Sequence, residues 1–297
     1  MTTDMPKKSW ITHLPGVWVP YAQLMRLDRP AGMWLLFAPC VWSVSLADCE
    51  FHGGKILLFL LGTILMRGVG CIWNDFLDRD LDRRVVRTCG RPLANGAVSS
   101  QQAFVFAVVL ALGGAGILFQ FNPFTIWLGL FSLILVGVYP LMKYVTFWPQ
   151  AVLGLTFTWG ALMGWASIRG ALGLVPLVLY GSCFFWTLAY DTIYAYQDIE
   201  DDQKVGVGST ALYFGGRGKG AIAGFYSVFF GGLYTIQYLQ GFSWIYGMGI
   251  SAALILSLIL VVRLNLKAPK QCLRAFQQNK WIALIIWASV LLENLLR

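Results

Sequence analysis

The chain reads as an all-α polytopic membrane protein with nine transmembrane helices, on three observations. Apolar runs of roughly 20 residues, long enough to cross hydrocarbon, recur from one end to the other. Only 12% of residues are charged, against 58% hydrophobic, about half the charge of ordinary soluble domains. The basic residues gather in alternate loops, the asymmetry that orients membrane proteins.

Taken in order, the segment from Trp18 to Arg29 suits an interfacial amphipathic helix ending near Pro30. The spans follow at 31–48, 55–75, 102–119, 122–141, 149–168, 172–194, 220–238, 243–262 and 279–296, each rich in Leu, Ile, Val, Phe or Trp. In the fifth, Gly160 and Gly164 share a face. They either admit a close helix neighbour or reflect the general abundance of Gly in membrane helices. Gly215, Gly216, Gly218 and Gly220, with Arg217 and Lys219, form a connector without the GxxxxGK[ST] order of a P-loop. No repeat or long polar linker divides the chain, so a single domain over 1–297 is expected.

With the N-terminus inside, every Lys and Arg falls on the inner side except Lys55, Arg169 and Arg297, and Arg67 within a span. Topology therefore explains the net charge of +8, and no nucleic-acid partner is expected. The six Cys show no CxxC, and Cys40, Cys71 and Cys183 lie inside apolar runs, which argues against a disulfide scaffold or a zinc site. His13 and His52 are isolated. The stretch before Trp18 lacks the apolar core of a signal peptide and the Arg-rich, Ser-rich character of a mitochondrial presequence. That favours a membrane reached without a cleaved leader.

Two acidic stretches stand against this background. Asn74, Asp75, Asp78 and Asp82 fall near one helix face, with Asp80 off it. Asp191, Tyr194, Asp198 and Asp202 repeat the pattern at steps of three, four and four, with Glu200 and Asp201 beside it. Asp191 still lies in an apolar run, where an ionisable residue marks a site by default. The plain alternative is a pair of solvated helix ends, the first salt-bridged by Arg79, Arg83 and Arg84. Both stretches lie on the inner side of the predicted topology and can face one cavity. Oxygen ligands of this kind suit Mg²⁺, and Mg²⁺ reconciles carboxylates with a phosphate-bearing ligand. Arg87, Arg91, Lys143 and Lys204 are candidates for the remaining phosphate oxygens. A diphosphate so held leaves more readily, and a lipid chain attached to it can lie between spans. Arg67 precedes Asn74 by two helical turns and suits a phosphate, an acceptor carboxylate or a structural pair with an Asp. Tyr139 and Lys143 are four apart with Pro140 between them.

These residues resemble a known family. Asn74 to Asp82 is similar to the NDxxDxxxD signature of the UbiA intramembrane prenyltransferases. Tyr190 to Asp198, with Asp201 and Asp202, resembles its second aspartate motif, and Tyr139 to Lys143 fits its YxxxK element. Met25 to Pro30, Met66-Arg67-Gly68 and Arg91-Pro92-Leu93 look like the branch that prenylates 4-hydroxybenzoate. The resemblance implies nine transmembrane helices around a central cavity, Mg²⁺, an isoprenyl diphosphate donor, an aromatic acceptor and surrounding membrane lipid. It implies that Asn74, Asp75, Asp78, Asp82, Asp191, Asp198 and Asp202 bind the Mg-diphosphate. Lys143 and nearby Arg residues would stabilise the leaving group, Tyr139 and Tyr194 the reacting region, and Arg67 would orient the acceptor.

Two runs depart from the quinone branch. Gly206-Val207-Gly208-Ser209-Thr210 replaces GxKST, and Arg91-Pro92-Leu93-Ala94-Asn95-Gly96 replaces an RPLxSG-like run. With the N-terminal reading, they favour a fungal meroterpenoid branch at the endoplasmic reticulum. That branch farnesylates polyketide-derived phenols or pyrones. The alternatives are a 4-hydroxybenzoate polyprenyltransferase of the mitochondrial inner membrane and a cation-coupled transporter of an anionic amphiphile.

Overall fold

The computed structural model describes residues 9–297. Part of the N-terminal stretch discussed above, residues 1–8, lies outside them. The described residues form helices and turns, with no strand among them. The helices are α1 Val19–Leu24, α2 Ala31–Ala47, α3 Gly53–Leu77, α4 Arg79–Asp82, α5 Ser100–Leu118, α6 Pro123–Val138, α7 Pro149–Phe157, α8 Gly160–Arg169, α9 Leu174–Ala195, α10 Ile199–Val205, α11 Thr210–Phe214, α12 Gly218–Gln240, α13 Trp244–Arg263 and α14 Pro269–Leu295. The protein is all-α, as expected.

Local chemistry explains many of the boundaries. Ser99 and Gln102 close a reciprocal capping box at α5. Asn122 caps α6 through the Thr125 N–H, with Pro123 in its first turn. Gly170 and Gly241 end α8 and α12 in left-handed conformations, φ 69° and 60°. The expected interfacial helix is shorter than predicted, because α1 stops at Leu24 and Arg26 turns the chain at a positive φ of 57°.

Among the described residues, six stretches are long and apolar enough to cross a bilayer: Gly53–Leu77, Ser100–Leu118, Pro123–Tyr144, Pro149–Arg169, Leu174–Ala195 and Trp244–Arg263. The expectation of nine spans is met by these six alone. The other three predicted spans coincide with helix, but each has a physical reason for falling outside the set. α2 is apolar and only 17 residues long. α12 is rich in Gly and carries Lys219, Gln237 and Gln240, and the first turns of α14 carry Lys270, Arg274, Gln277, Gln278 and Lys280. Exposed Phe104, Val108 and Leu112 on α5 and Trp127, Phe131 and Ile134 on α6 suit lipid rather than water.

The Cα packing divides the chain into two compact units. The first joins the described residues up to Met33 with Leu60–Gln120. Its core gathers Leu24, Met25, Ile72, Leu93, Val98, Ala103 and Leu110. A Cβ on Gly68 would stand 3.0 Å from Leu110 and 3.1 Å from Met25, so α3 meets its neighbours there at close range.

The second unit joins Trp34–Phe59 with Phe121–Arg297. Trp42, Trp186 and Phe229 stack at its centre, with centroids 5.0–6.2 Å apart. Asn279, fully buried, accepts from Trp186 Nε1 and Tyr226 OH, both at 2.9 Å. These bonds satisfy its oxygen away from water. Gly160 and Gly164 are packing residues. A Cβ on Gly164 would lie 2.6 Å from the Cys40 carbonyl oxygen, and Ser43 Oγ donates to Ala161 O while accepting from Trp165 N. The small-residue face of α8 thus lets its backbone approach α2. Arg169 Nε donates to Ala47 O at 2.7 Å, satisfying a carbonyl at the end of α2.

Candidate active site

The first aspartate motif is carried by the last turn of α3 and by α4. The helical ladder continues across the junction, with Asp78 N donating to Asn74 O at 3.0 Å and Asp82 N to Asp78 O at 2.7 Å. Asn74 Nδ2 donates to Asp78 Oδ2 at 3.0 Å, the pairing that a four-residue step predicts. Asp75, Asp78 and Asp82 are all buried. Trp73 and Phe76 take another face, exposed and stacked at 6.2 Å. Asp80 is solvated and pairs with Arg79 and Arg83. Those two arginines therefore serve the exposed acid.

The buried acids are offset by more distant cations. Arg26 Nη2 pairs with Asp75 Oδ1. Arg91 Nη1 lies 3.2 Å from the same oxygen and 2.9 Å from Asp82 Oδ2. Burial still pushes the Asp82 carboxyl above the usual 3.8, outweighing the nearby Arg91 charge. Arg26 is the residue that sequence reasoning missed. It appears there only inside a family-like run, and nothing local signals a contact 49 residues away. Among the described residues it is the non-glycine held at positive φ, a strain that structures retain mainly at functional places. Asp28 was missed as well. Its side chain is 1% exposed, and its Oδ2 has no hydrogen-bond partner. Of the predicted cations in this unit, Arg91 joins the motif, Arg87 is half-buried in the following loop, and Arg67 lies half-buried in α3 against Gly32.

The second motif is built differently. Asp191 and Tyr194 belong to α9, which ends at Ala195, and Asp198 precedes α10 with φ −112° and ψ 0°. The expected single stripe is thus broken after Tyr194, and Asp202 belongs to a second short helix. Asp202 N donates to Asp198 O at 2.9 Å. Tyr194 packs on Phe276 at 4.9 Å. Glu200 and Lys204 are exposed.

The loop after α10 ties this motif to the Tyr139–Lys143 element. Gly208 N donates to Lys143 O at 2.7 Å. A Cβ at 208 would overlap the Thr146 carbonyl, so this approach leaves no room for the Lys of a GxKST run. Thr192 and Thr210 hydroxyls meet at 2.8 Å, and Gln150 holds Thr210 N at 3.0 Å. Tyr139 and Lys143 do not follow α-helical spacing. Pro140 lies at the point where α6 gives way to a 3-10 turn, Tyr139–Tyr144. At three residues per turn a four-residue step no longer returns to the same face.

Asn74, Asp75, Asp78 and Asp82 supply the hard oxygen atoms that Mg²⁺ requires. Asp75 adds a specific indication, because its Oδ2 is buried without a hydrogen-bond partner. Such an oxygen is costly unless a cation meets it, so the donor set fits a divalent ion. Another acidic group, Asp48, Glu50 and His52 in the α2–α3 loop, places its ligand atoms within 4.8 Å of one another. It is a largely solvated turn, with His52 bonded to Asp48.

The chain matches the model of the UbiA prenyltransferase family over residues 36–287. It is 44% identical over 93% of its length to the mitochondrial 4-hydroxybenzoate polyprenyltransferase of Bos taurus, of which it covers 76%. For the Arabidopsis thaliana protein of the same name the figures are 45%, 96% and 71%. Among solved structures, a UbiA homolog from Aeropyrum pernix K1 superposes with a TM-score of 0.74 at 20% identity, covering 87% of this chain and 97% of that one. A homolog from Archaeoglobus fulgidus bound to GPP and Mg²⁺ gives 0.67 at 19%, covering 92% and 99%.

These findings correct three expectations. The meroterpenoid reading and its farnesyl specificity find no support, since both relatives are named for 4-hydroxybenzoate. A location in the endoplasmic reticulum finds none either, since both are named mitochondrial. The transporter reading gives way to an aromatic prenyltransferase in the membrane. The departures at Gly208 and Asn95 decide little, because two short runs count for little beside identity spread along the whole chain. With two aspartate motifs on apolar helices, a shared fold and more than 40% identity to named members, the chain belongs to the UbiA prenyltransferase family.

Proposed function

We propose that the protein transfers a polyprenyl group from its diphosphate to a ring carbon of 4-hydroxybenzoate, in the mitochondrial inner membrane. The observation that carries this reading is the 44–45% identity, over more than nine-tenths of the chain, to proteins named for that reaction. We read residues 1–297 as one functional domain, because the family match at 36–287 includes parts of both compact units.

Asn74, Asp75, Asp78, Asp82, Asp191, Asp198 and Asp202 would hold Mg²⁺ with the donor diphosphate. Bound Mg²⁺ supplies the positive charge that stabilises the departing diphosphate. Lys143, Arg87, Arg91 and Lys204 are assigned to phosphate oxygens. Of these, Arg91 also braces Asp75 and Asp82. Tyr139 and Tyr194 are assigned to the region where the allylic carbon loses its bond to oxygen and gains one to the ring. The phenol oxygen makes that ring carbon electron-rich, and rearomatisation releases its proton. Arg67 is assigned to the acceptor carboxylate, a role that accounts for a guanidinium inside an apolar span.

The test is direct. Purified protein receives Mg²⁺, donors from geranyl to decaprenyl diphosphate and 4-hydroxybenzoate, with diphosphate release and product mass followed. Prenylated 4-hydroxybenzoate is expected, its formation abolished by EDTA and restored by Mg²⁺. Folded protein that prenylates a polyketide phenol but not 4-hydroxybenzoate sinks the acceptor assignment.

A further inference from the structure

Arg67 is a charged residue in an apolar span, and a glycine of α2 lies against its tip. Gly32 is buried in the first turn of α2. A methyl group placed on it would stand 2.7 Å from Arg67 Nη2, 3.2 Å from Cζ and 3.4 Å from Nε. All three are guanidinium atoms, at the free-moving end of a long side chain. The contrast with Gly68, beside Arg67 on α3, is informative. A Cβ there would press on Leu110 and Met25, which belong to the hydrophobic core of this unit. Gly68 is a packing glycine, whereas Gly32 makes room for a charge.

The two positions therefore predict different penalties. A larger residue at 68 strains the core. Alanine at 32 presses first on the guanidinium, the far end of a flexible side chain, and alanine is the better helix former. A glycine whose replacement suits the helix but shifts a charged group is explained by what that group must reach.

We propose that Gly32 is a positioning residue for the aromatic acceptor. The space left by its missing side chain fixes the Arg67 guanidinium, and through it the place where the acceptor carboxylate is held. The proposal rests on the assignment of Arg67 given above.

The experiment compares wild type, Gly32→Ala, Arg67→Lys and the double variant as full-length protein, with 4-hydroxybenzoate and its neutral analogue 4-hydroxybenzamide as acceptors. Thermal unfolding is read alongside. Gly32→Ala is expected to raise the KM for 4-hydroxybenzoate about tenfold, since small misplacements near a reacting group are amplified. The donor KM and kcat stay within about twofold, the preference for the carboxylate acceptor falls, and the unfolding midpoint holds or rises. In the Arg67→Lys background, adding Gly32→Ala changes the acceptor KM little, because the fork it displaces is gone.

An unchanged acceptor KM in folded Gly32→Ala overturns the proposal. So does a lowered midpoint with all kinetic constants worsening together, or full additivity in the double variant. Equal wild-type use of the two acceptors overturns the Arg67 assignment itself. A wild-type preference that survives Gly32→Ala overturns only the part given to Gly32.

Discussion

At the end of α3, Asp75 and Asp82 meet the guanidinium groups of Arg26 and Arg91. At the end of α9, Asp191 is half-buried in an apolar span, and Asp198 follows beyond the end of that helix. The two motifs look alike as spacings of Asp, yet they keep anions in a low-dielectric setting by different means. The first is balanced by cations drawn from a preceding turn and a following loop. The second spreads Asp191, Asp198 and Asp202 over the end of one helix, a turn and a short second helix, where a bound cation would favour the ionised carboxylates.

The largest effect that can break this distinction comes from one chemical change made at both ends. Asp191→Asn is expected to lower turnover by about tenfold to a hundredfold, as disrupted metal sites do. Without metal its unfolding midpoint holds or rises, because an acidic group has been removed from an apolar span. Asp75→Asn should also lose turnover, but it removes the acceptor charge of two buried guanidinium groups and costs about 3 kcal/mol of stability. Diphosphate release and unfolding, measured on both variants in one detergent, provide the check. Equal stability changes of the same sign would erase the distinction.

A smaller effect sharpens the account of the first end. Arg91 touches Asp75 and Asp82 through one nitrogen, so its removal strands Asp82 while Arg26 still serves Asp75. Arg91→Leu and Asp82→Asn should therefore be strongly non-additive, with a coupling of about 1–2 kcal/mol in a double-mutant cycle. Additive changes would mean that the 2.9 Å contact contributes nothing to stability.

These contacts also mark the limits of what the sequence alone conveyed. Asn74 and Asp78 were legible as partners because the ladder between them is helical, and helical spacing is a local property. Gly160 and Gly164 were legible as one face for the same reason, but the choice between packing and mere abundance needed the Cys40 backbone beside them. The turn at Asp198 was not legible. Asp202 repeats an acceptable helical step, and nothing in composition forbids a helix continuing through Tyr196. Tyr139 and Lys143 failed similarly, since the 3-10 turn at Pro140 alters the period on which their spacing was judged. Arg26 was beyond reach because its role depends on a left-handed backbone and a distant carboxylate. Helix faces are written locally, whereas charge balance is settled by the tertiary fold.

The smallest effect belongs to a third acidic group, at the other end of α3, which is open to solvent. His52 lies 3.2 Å from Asp48 Oδ2, and this hydrogen bond, ahead of weaker ones from the Glu50 and Cys49 backbone, holds the Asp48 carboxyl below the usual 3.8. With the folded value below the unfolded one, the unfolded chain binds more protons in the interval between them. The contribution is therefore complete above 3.8 and disappears as pH falls through the folded value. Asp48 is more than a third exposed, so water screens the bond and it adds less than about 1 kcal/mol. Unfolding midpoints taken from about pH 5 to pH 3 should fall slightly more steeply for wild type than for Asp48→Asn, with turnover at neutral pH the same in both. Identical slopes would show that the bond adds nothing, and a loss of turnover would bring the α2–α3 loop into the chemistry assigned to the two aspartate motifs.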